Sequence, residues 1–370
     1  MGNLVLVKCA EKEVKIMPAI SVIMPVYNTE QYVGKAIESI LNQTFRDYEF
    51  FIIDNGSTDK SSRIIADYAA KDPRIRVIHN DVNVYIAEAR NAAIEKTSGE
   101  YLYLIDSDDT VELDMLEKMY SAAKRTNAQY VVAGYYMEYY QQGKFSSYEV
   151  CPDEHFYEQE DFRKNAIKYL TRTLLTVPWN KLYSLDYIRK HNIRFRNTKL
   201  EDHHFNMDMI KDIERVYMVG ESFYHYNRSR PGTDSQIVYN KFLNQKKREH
   251  FKHTMEVYRY WGIDDFATMN ELYNYQAGRL VECVSETCCN STLTKEKRTS
   301  ELKTILNDAD TRMVVTKIKS NSLLLAICVL PIKWKSILMC SVMGHAIGFA
   351  KKRFSYSFYL LRSKVAQKAK

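Results

Sequence analysis

Three aspartates within four residues, Asp106, Asp108 and Asp109, follow directly on the apolar run YLYLI and carry the most pointed chemistry in the chain. Like charges this close repel when partly desolvated, so either some of them hold protons or a cation sits among them. Asp106 and Asp108, two residues apart, offer hard oxygen ligands suited to Mg²⁺ or Mn²⁺, ions that keep several waters and bridge to substrate phosphates. The plain structural alternative has Asp109 capping the next helix, Asp106 bonding to nearby amides and Asp108 solvated. A second acidic pair, Glu201 and Asp202, opens a helical pattern. It could supply a general base, or it could simply complement the positive end of a helix dipole.

Such groups need a frame, and residues 19–137 read as one. Short runs rich in Val, Ile, Tyr and Phe at 19–25, 48–54, 74–80, 101–106 and 128–137 suit buried strands. Helical periods lie between them, one from about Glu30 with Thr29 as its cap, one opening at GSTD where Ser57 or Thr58 can cap, and two more at 86–97 and 112–126. Strand–helix alternation with short connections predicts an α/β, doubly wound, mostly parallel sheet, with ligands beyond the carboxyl ends of its strands. The polar clusters fall at those ends: PVYN (25–28), DNGSTD (54–59) and DSDD (106–109). Each alone is ordinary turn chemistry, but three on one edge point to a ligand site. Further helices are expected at 158–173 and 203–212, and helical periods dominate from 238 to 310.

The charge is polarised. The net +7 contains twelve Lys and Arg, and no acidic residue, after Asp310, which leaves −5 for residues 1–310. The basic tail therefore faces something anionic. Its apolar stretches at 323–332 and 337–350 are each shorter than the ~20 residues a spanning helix needs. Seven cysteines, odd in number and without CxxC pairs, read as free thiols in a reducing compartment. The opening residues lack the pattern of a secretory signal.

The segments SVIMPVYNTEQYVGKAIESILNQTF, IIDNGSTDKS, AEARNAAI and GEYLYLIDSDD, in this order and spacing, resemble family 2 glycosyltransferases of the GT-A fold, of the bacterial surface-polysaccharide type. The resemblance covers about residues 18–235 and is strongest in the first half. It implies a nucleotide-binding edge formed by Pro25, Tyr27, Asn28 and Asn55, with Tyr27 flanking a uracil and Asp54 accepting from its N3–H. Arg90 would lie near the nucleotide and Asn91 would support its loop. Asp106 and Ser107 would face the ribose, and Asp106 and Asp108 would hold the metal. In LEDHHF, Asp202 matches the catalytic base and Glu201 its neighbour, while Trp179, Asn180 and Lys181 match a segment near the acceptor. Arg228 and Ser235 fall where the family's late loop touches pyrophosphate, and His225 in that loop becomes the metal candidate among the histidines. Neighbouring His203 and His204 are expected to point to different helix faces. Two departures stand out: Asn55 for the usual second Asp, and Tyr85 where glycine is common.

The resulting expectation is an N-terminal extension (1–17), a GT-A domain (18–237) with a nucleotide-sugar half (18–137) and an acceptor half (138–237), a helical region (238–310) and a membrane-associating tail (311–370). The reaction expected is metal-dependent, inverting transfer from a UDP-sugar to a growing, lipid-linked surface polysaccharide, at the inner face of the cell membrane. A helix around Trp334, Phe349, Phe354, Tyr356, Phe358 and Tyr359 would lie on the bilayer; the alternative is a helical subdomain packed on the rest. No nucleic-acid-binding module accompanies the charge. Rival functions are a catalytically silent binding or scaffold protein and a sugar nucleotidyltransferase, the latter lacking its glycine-rich phosphate loop.

Overall fold

The computed structural model describes residues 17–141, 144–198, 201–228 and 243–353. Strand β1 (Ile20–Val26) lies between β2 (Tyr48–Asn55) and β4 (Tyr101–Leu104), parallel to both, and β3 (Ile75–Asn80) extends the sheet beyond β2. Every residue of β1, β2 and β4 is buried, which explains their unbroken apolar runs. Helices α1 (Val33–Leu41), α2 (Ser61–Ala69) and α3 (Ile86–Lys96) make the crossovers. The sheet continues past β4 in the order β9 (Lys181–Ser184), β6 (Tyr130–Gln141), β10 (Arg215–Asn227) and β5 (Thr110–Val111). Strand β9 runs antiparallel to β4 and β6, so the parallel reading holds strictly for β3–β2–β1–β4 and the second half is mixed. Strand β7 (Lys144–Val150) pairs with β6 and β8 (His155–Glu158) with β10. Helices α4 (Met115–Thr126), α5 (Gln159–Thr171), α6 (Leu185–Lys190) and α7 (Glu201–Ile210) complete this part.

Three expected helix starts move. The Thr29 carbonyl, not its hydroxyl, receives the Tyr32 and Val33 amides, at 2.8 and 2.9 Å, and α1 begins at Val33. Ser57 and Thr58 do not cap α2, because they are spent on Asn28: the Asn28 N–H donates to Ser57 Oγ (3.2 Å) and the Thr58 N–H donates to Asn28 Oδ1 (2.8 Å). Helix α4 starts three residues late because Thr110–Val111 first pair with β10.

Beyond the sheet, α8 (Leu243–Tyr260) leads to the long α9 (Phe266–Cys289), and α10 (Lys295–Asn307), α11 (Ala309–Lys317), α12 (Leu323–Lys333) and α13 (Ile337–Arg353) follow. Asp265, Thr294, Asp308 and Ser322 each accept from an amide three residues on, so α9 to α12 all begin with a side-chain cap. A second apolar core joins Leu280 and Val284 to Leu302, Val315, Ile332 and Cys340. It crosses residue 310 without a break, so the described part of the expected tail packs on the helical region. Helix α13 approaches α9 closely at Gly344, where a Cβ would sit 2.7 Å from Cys288 Sγ.

Gly56, directly after β2, has φ +74°, and a Cβ there would lie 2.5 Å from the carbonyl carbon of Val82. Gly56→Ala is therefore expected to destabilise the protein by about 1–3 kcal/mol, read as a lower denaturant midpoint.

Candidate active site

The carboxyl ends of β1, β2 and β4 sit side by side because the strands are parallel and in register, Val26 opposite Asp54 and Ile23 opposite Leu104. The loops after β1 and β2 are bonded to each other. Besides the Asn28 contacts, Ser61 Oγ accepts from Thr29 N–H (2.9 Å), Asp59 from Glu30 N–H (2.9 Å), and Glu30 from Lys60 N–H (2.9 Å). Asn28 takes a positive φ of 50° to make this turn. Pro25 lies in β1, opposite Ile53, and Tyr27 stands out from the rim, 42 % exposed.

Asp54 is buried, and its Oδ1 accepts from the Ser57 N–H (3.1 Å), its Oδ2 from the Ser62 hydroxyl (2.5 Å), with His79 Nδ1 also 3.1 Å from Oδ2. Burial opposes its ionisation, but the bonds from Ser62 and Ser57 outweigh it and hold the carboxyl below its ordinary range. Asn55 spends its amide on the loop after β3, donating to Asn83 Oδ1 and the Val84 carbonyl and accepting from Asn80, each at 2.8 Å. It retains that loop, and with it the exposed Tyr85.

Arg90 on α3 is the hub. Its Nη2 donates to Asp106 Oδ1 (3.1 Å), and its Nη1 to Glu201 Oε1 (2.9 Å) and Asp202 Oδ1 (2.6 Å). The guanidinium is buried over the Phe195 ring, 5.1 Å from its centroid. Phe195 in turn stacks on Phe205 of α7 and is clasped by Asn91, whose amide donates to the Phe195 carbonyl and accepts from its N–H. One cation thus faces three carboxylates drawn from the carboxyl end of β4 and from α7. The imbalance shows: burial raises Asp106 to about 6 against the pull of Arg90, and burial together with Asp202 raises Glu201.

Asp109 does not cap α4. It is buried and accepts from the Tyr224 hydroxyl (2.5 Å) and the Asn227 N–H (2.8 Å), and burial pushes it well above the carboxylate range. It fastens the DSDD loop to the end of β10, where Tyr224 also stacks on Trp179, 4.1 Å between centroids. Ser107 is buried and Asp108 partly exposed. Trp179, Asn180 and Lys181 are all buried; Lys181 donates to Asn180 Oδ1 (2.5 Å) and the Val177 carbonyl, and burial holds it well below the usual lysine range. Arg228 lies over the Tyr226 ring, while Ser235 falls outside the described residues.

His225 meets carboxylates on both sides. Its Nδ1 lies 2.8 Å from Glu138 Oε1 and its Nε2 2.9 Å from Glu112 Oε1, so both ring nitrogens are taken by carboxylates. The bond to Glu138 raises its pKa. It bridges β10 to β6 and to the segment after β5, with a carboxylate at each ring nitrogen. His203 and His204 depart from expectation, since both are buried against α8. His203 Nε2 meets the His250 carbonyl and Thr254 hydroxyl, and His204 Nδ1 lies 2.9 Å from His253 Nδ1, which reaches Asp208 through its other nitrogen.

The comparisons bear on this arrangement. The model of the family described as Glycosyl transferase family 2 matches residues 21–191. An uncharacterized glycosyltransferase of Haemophilus influenzae is 33% identical over 209 residues, which span 54% of this chain and 74% of that protein. The chain belongs to glycosyltransferase family 2. Among solved structures, the glycosyltransferase resembles S. aureus TarS 1–349 in complex with UDP-GlcNAc, with TM-score 0.60 and 16% identity over 90% of this chain and 92% of that one. It also resembles the mannosyltransferase PcManGT of Pyrobaculum calidifontis in complex with GDP-Man and Mn²⁺, with TM-score 0.50 and 13% identity over 92% and 89%. These likenesses establish the GT-A fold.

Tyr224, Phe195, Asn206, Glu138 and Glu112 went unnoticed in the sequence. Asn206, one turn beyond Asp202, donates to the Asp202 carbonyl and accepts from the Tyr130 and Tyr183 hydroxyls. The i to i+4 spacing from Asp202 was the available signal for it; the others meet their partners across more than a hundred residues, or, like Glu138 and His225, across 87.

Removing the hub charge from the glycosyltransferase leaves three carboxylates without their counter-ion, so Arg90→Gln is expected to lose about 3–5 kcal/mol in denaturant unfolding. Arg90→Lys should recover little of it, since a single ammonium cannot fork across Asp106 and Asp202. Because the folded pKa of His225 is raised, its stabilisation is full below the ordinary imidazole value and lost as pH rises through the raised one. The stability deficit of His225→Gln should therefore shrink as pH rises above the ordinary imidazole value.

Proposed function

We propose that this glycosyltransferase moves a sugar from a UDP-sugar to a hydroxyl of a growing, lipid-linked cell-surface polysaccharide, with inversion at the anomeric carbon, working peripherally at the inner face of the cell membrane. The observation that carries the reading is the single guanidinium of Arg90 binding both Asp106, at the donor edge, and Asp202, on the first turn of α7. Donor-side and acceptor-side carboxylates are thereby held one residue's width apart.

On the donor side, Tyr27 is the exposed ring available to a base. Asp54 has three of its roughly four lone-pair sites filled and is kept ionised, so the remaining site on Oδ1 suits the N3–H of uracil. Asp106 and Ser107 border the ribose, and Arg228, with Ser235 beyond the described residues, lies toward the pyrophosphate. Tyr85, exposed at the start of α3, replaces a glycine common in the family and narrows the choice of donor.

On the acceptor side, Asp202 takes the proton of the attacking hydroxyl. The new bond forms between that oxygen and the anomeric carbon as the bond to the diphosphate oxygen breaks, and the electron pair leaves with UDP. One base and no protein nucleophile give a single displacement, as in inverting glycosidases. Glu201, buried beside it and raised in pKa, shares Arg90 and keeps the base oriented.

Asp106 and Asp108 are the residues that would hold Mn²⁺ or Mg²⁺. Their oxygen donors fit a hard dication that completes its shell with water and diphosphate oxygens, and the excess of carboxylate over Arg90 fits an added positive charge; among the described residues no cluster of three or more ligating side chains forms a closed metal cage. Such an ion would act as a Lewis acid on the leaving diphosphate.

A panel of nucleotide sugars with Mn²⁺, read by donor turnover and by thermal stabilisation, tests the reading. A UDP-sugar should be turned over, and Asp202→Asn should lower kcat by ~10² to 10⁴-fold with UDP binding unchanged. Asp108→Ala should abolish the extra stabilisation that Mn²⁺ adds to UDP. Wild-type turnover by Asp202→Asn would refute the assigned base.

A further inference from the structure

The two helices that close the described chain are fastened on one side and bare on the other. Helix α13 is held to α9 by Cys340, by Gly344, whose carbonyl accepts from Ser285 Oγ (3.1 Å), and by Gly348, where a Cβ would meet Cys289 Sγ. Helix α12 tucks Val329 and Ile332 into the same core. On the other side a row of apolar residues is exposed at helical spacing: Leu323 (80 %), Ile327 and Leu330 on α12, then Leu338 (76 %), Val342 and Phe349 (67 %) on α13. Trp334 stands exposed in the turn between them.

Large apolar side chains at this density on a soluble surface mark a site of contact. The charge around them selects the partner. Lys317 and Lys319 precede α12, Lys333 and Lys335 flank Trp334, all four are exposed, and no acidic residue follows Asp310. No helix among the described residues is long and apolar enough to cross a membrane. An apolar stripe framed by lysines with an aromatic at the boundary suits the headgroup layer of an anionic leaflet.

We propose that α12, the turn at Trp334 and α13 form a preformed docking surface for an anionic bilayer, lying on it without spanning it. The face is built before contact, because the inner sides of both helices belong to a packed core. The inference rests on the proposed lipid-linked acceptor for its purpose, and on exposure and charge for its evidence. It narrows the expected tail to described residues 323–349; Phe354, Tyr356, Phe358 and Tyr359 lie outside the described residues.

The full chain should co-sediment with vesicles of about one part phosphatidylglycerol to three of phosphatidylcholine, less with pure phosphatidylcholine, and less again at high salt. Tryptophan emission of the wild-type chain should shift to the blue on binding and be quenched by brominated lipid, and both changes should be lost in Trp334→Phe, which leaves the buried Trp179 and half-buried Trp261 as emitters. Ile327→Ser with Val342→Ser should weaken binding at least about tenfold while near-ultraviolet dichroism stays native. Absence of vesicle binding, equal binding by the double variant with unquenched Trp334, or a dimer that the double variant dissolves in the absence of lipid would each overturn the proposal. Donor turnover without vesicles, measured on the same preparations, separates the two readings: binding without turnover removes the proposed reaction alone, and turnover without binding removes the surface alone.

Discussion

A buried guanidinium shared by three carboxylates is the constraint on which the rest of the site depends. Arg90 is anchored by α3 and by the Phe195 ring beneath it, so its two terminal nitrogens have fixed directions, and Asp106, Glu201 and Asp202 are positioned by them. Lysine could neutralise one of these groups but could not triangulate all three, because only the planar fork has rigid, divergent donors. Burial lifts Asp106 and Glu201, and the neighbouring carboxylates add to that lift against the pull of the one cation. A site in this condition favours a further positive charge and proton uptake, which is what the proposed reaction would draw on.

The surrounding bonds serve to hold that hub still. Asn28, Ser57, Asp59 and Ser61 fuse the first two strand-end loops into one rim, and Asp109 with Tyr224 and Asn227 secures the third loop to β10. Several of these groups were legible as polar residues at strand ends but were assigned the wrong partners. Ser57 and Thr58 look like caps to a reader of local pattern; they serve instead a loop thirty residues away, because parallel strands bring their ends together whatever their separation in sequence.

The same reasoning divides what the sequence disclosed from what it withheld. The strands β1, β2 and β4 and the first half of β6 were readable because double-sided burial demands continuous Val, Ile, Tyr and Phe, whereas β3, with only Ile75 buried, was readable from its short Ile and Val run alone. The pairing of Glu201–Asp202 with the donor edge entered only through the family resemblance, since the dipole alternative explains two acids at a helix start equally well. Arg90 was placed near the nucleotide, and its engagement of α7 could not be seen, because 111 residues separate it from Glu201 and nothing periodic links them. The partners of His225 were equally hidden: a histidine in a polar loop advertises a lone pair, and only three dimensions reveal the glutamates on both sides of it. The antiparallel β9 was also invisible, four residues being too few to show a period.

Helix α7 has a second attachment that bears on how the chain is divided. Its first turn bears Asp202, while its next residues, His203 and His204, are buried against His250, His253 and Thr254 of α8. The residue assigned as base is therefore backed by the helical region as well as by the sheet. A boundary drawn after the last strand would strip two imidazoles of their cover and unseat the helix that aims the carboxylate. Helix α7 thus shares its packing with α8, and a substitution that reshapes that face of α8 would act on the position of Asp202 from outside the sheet.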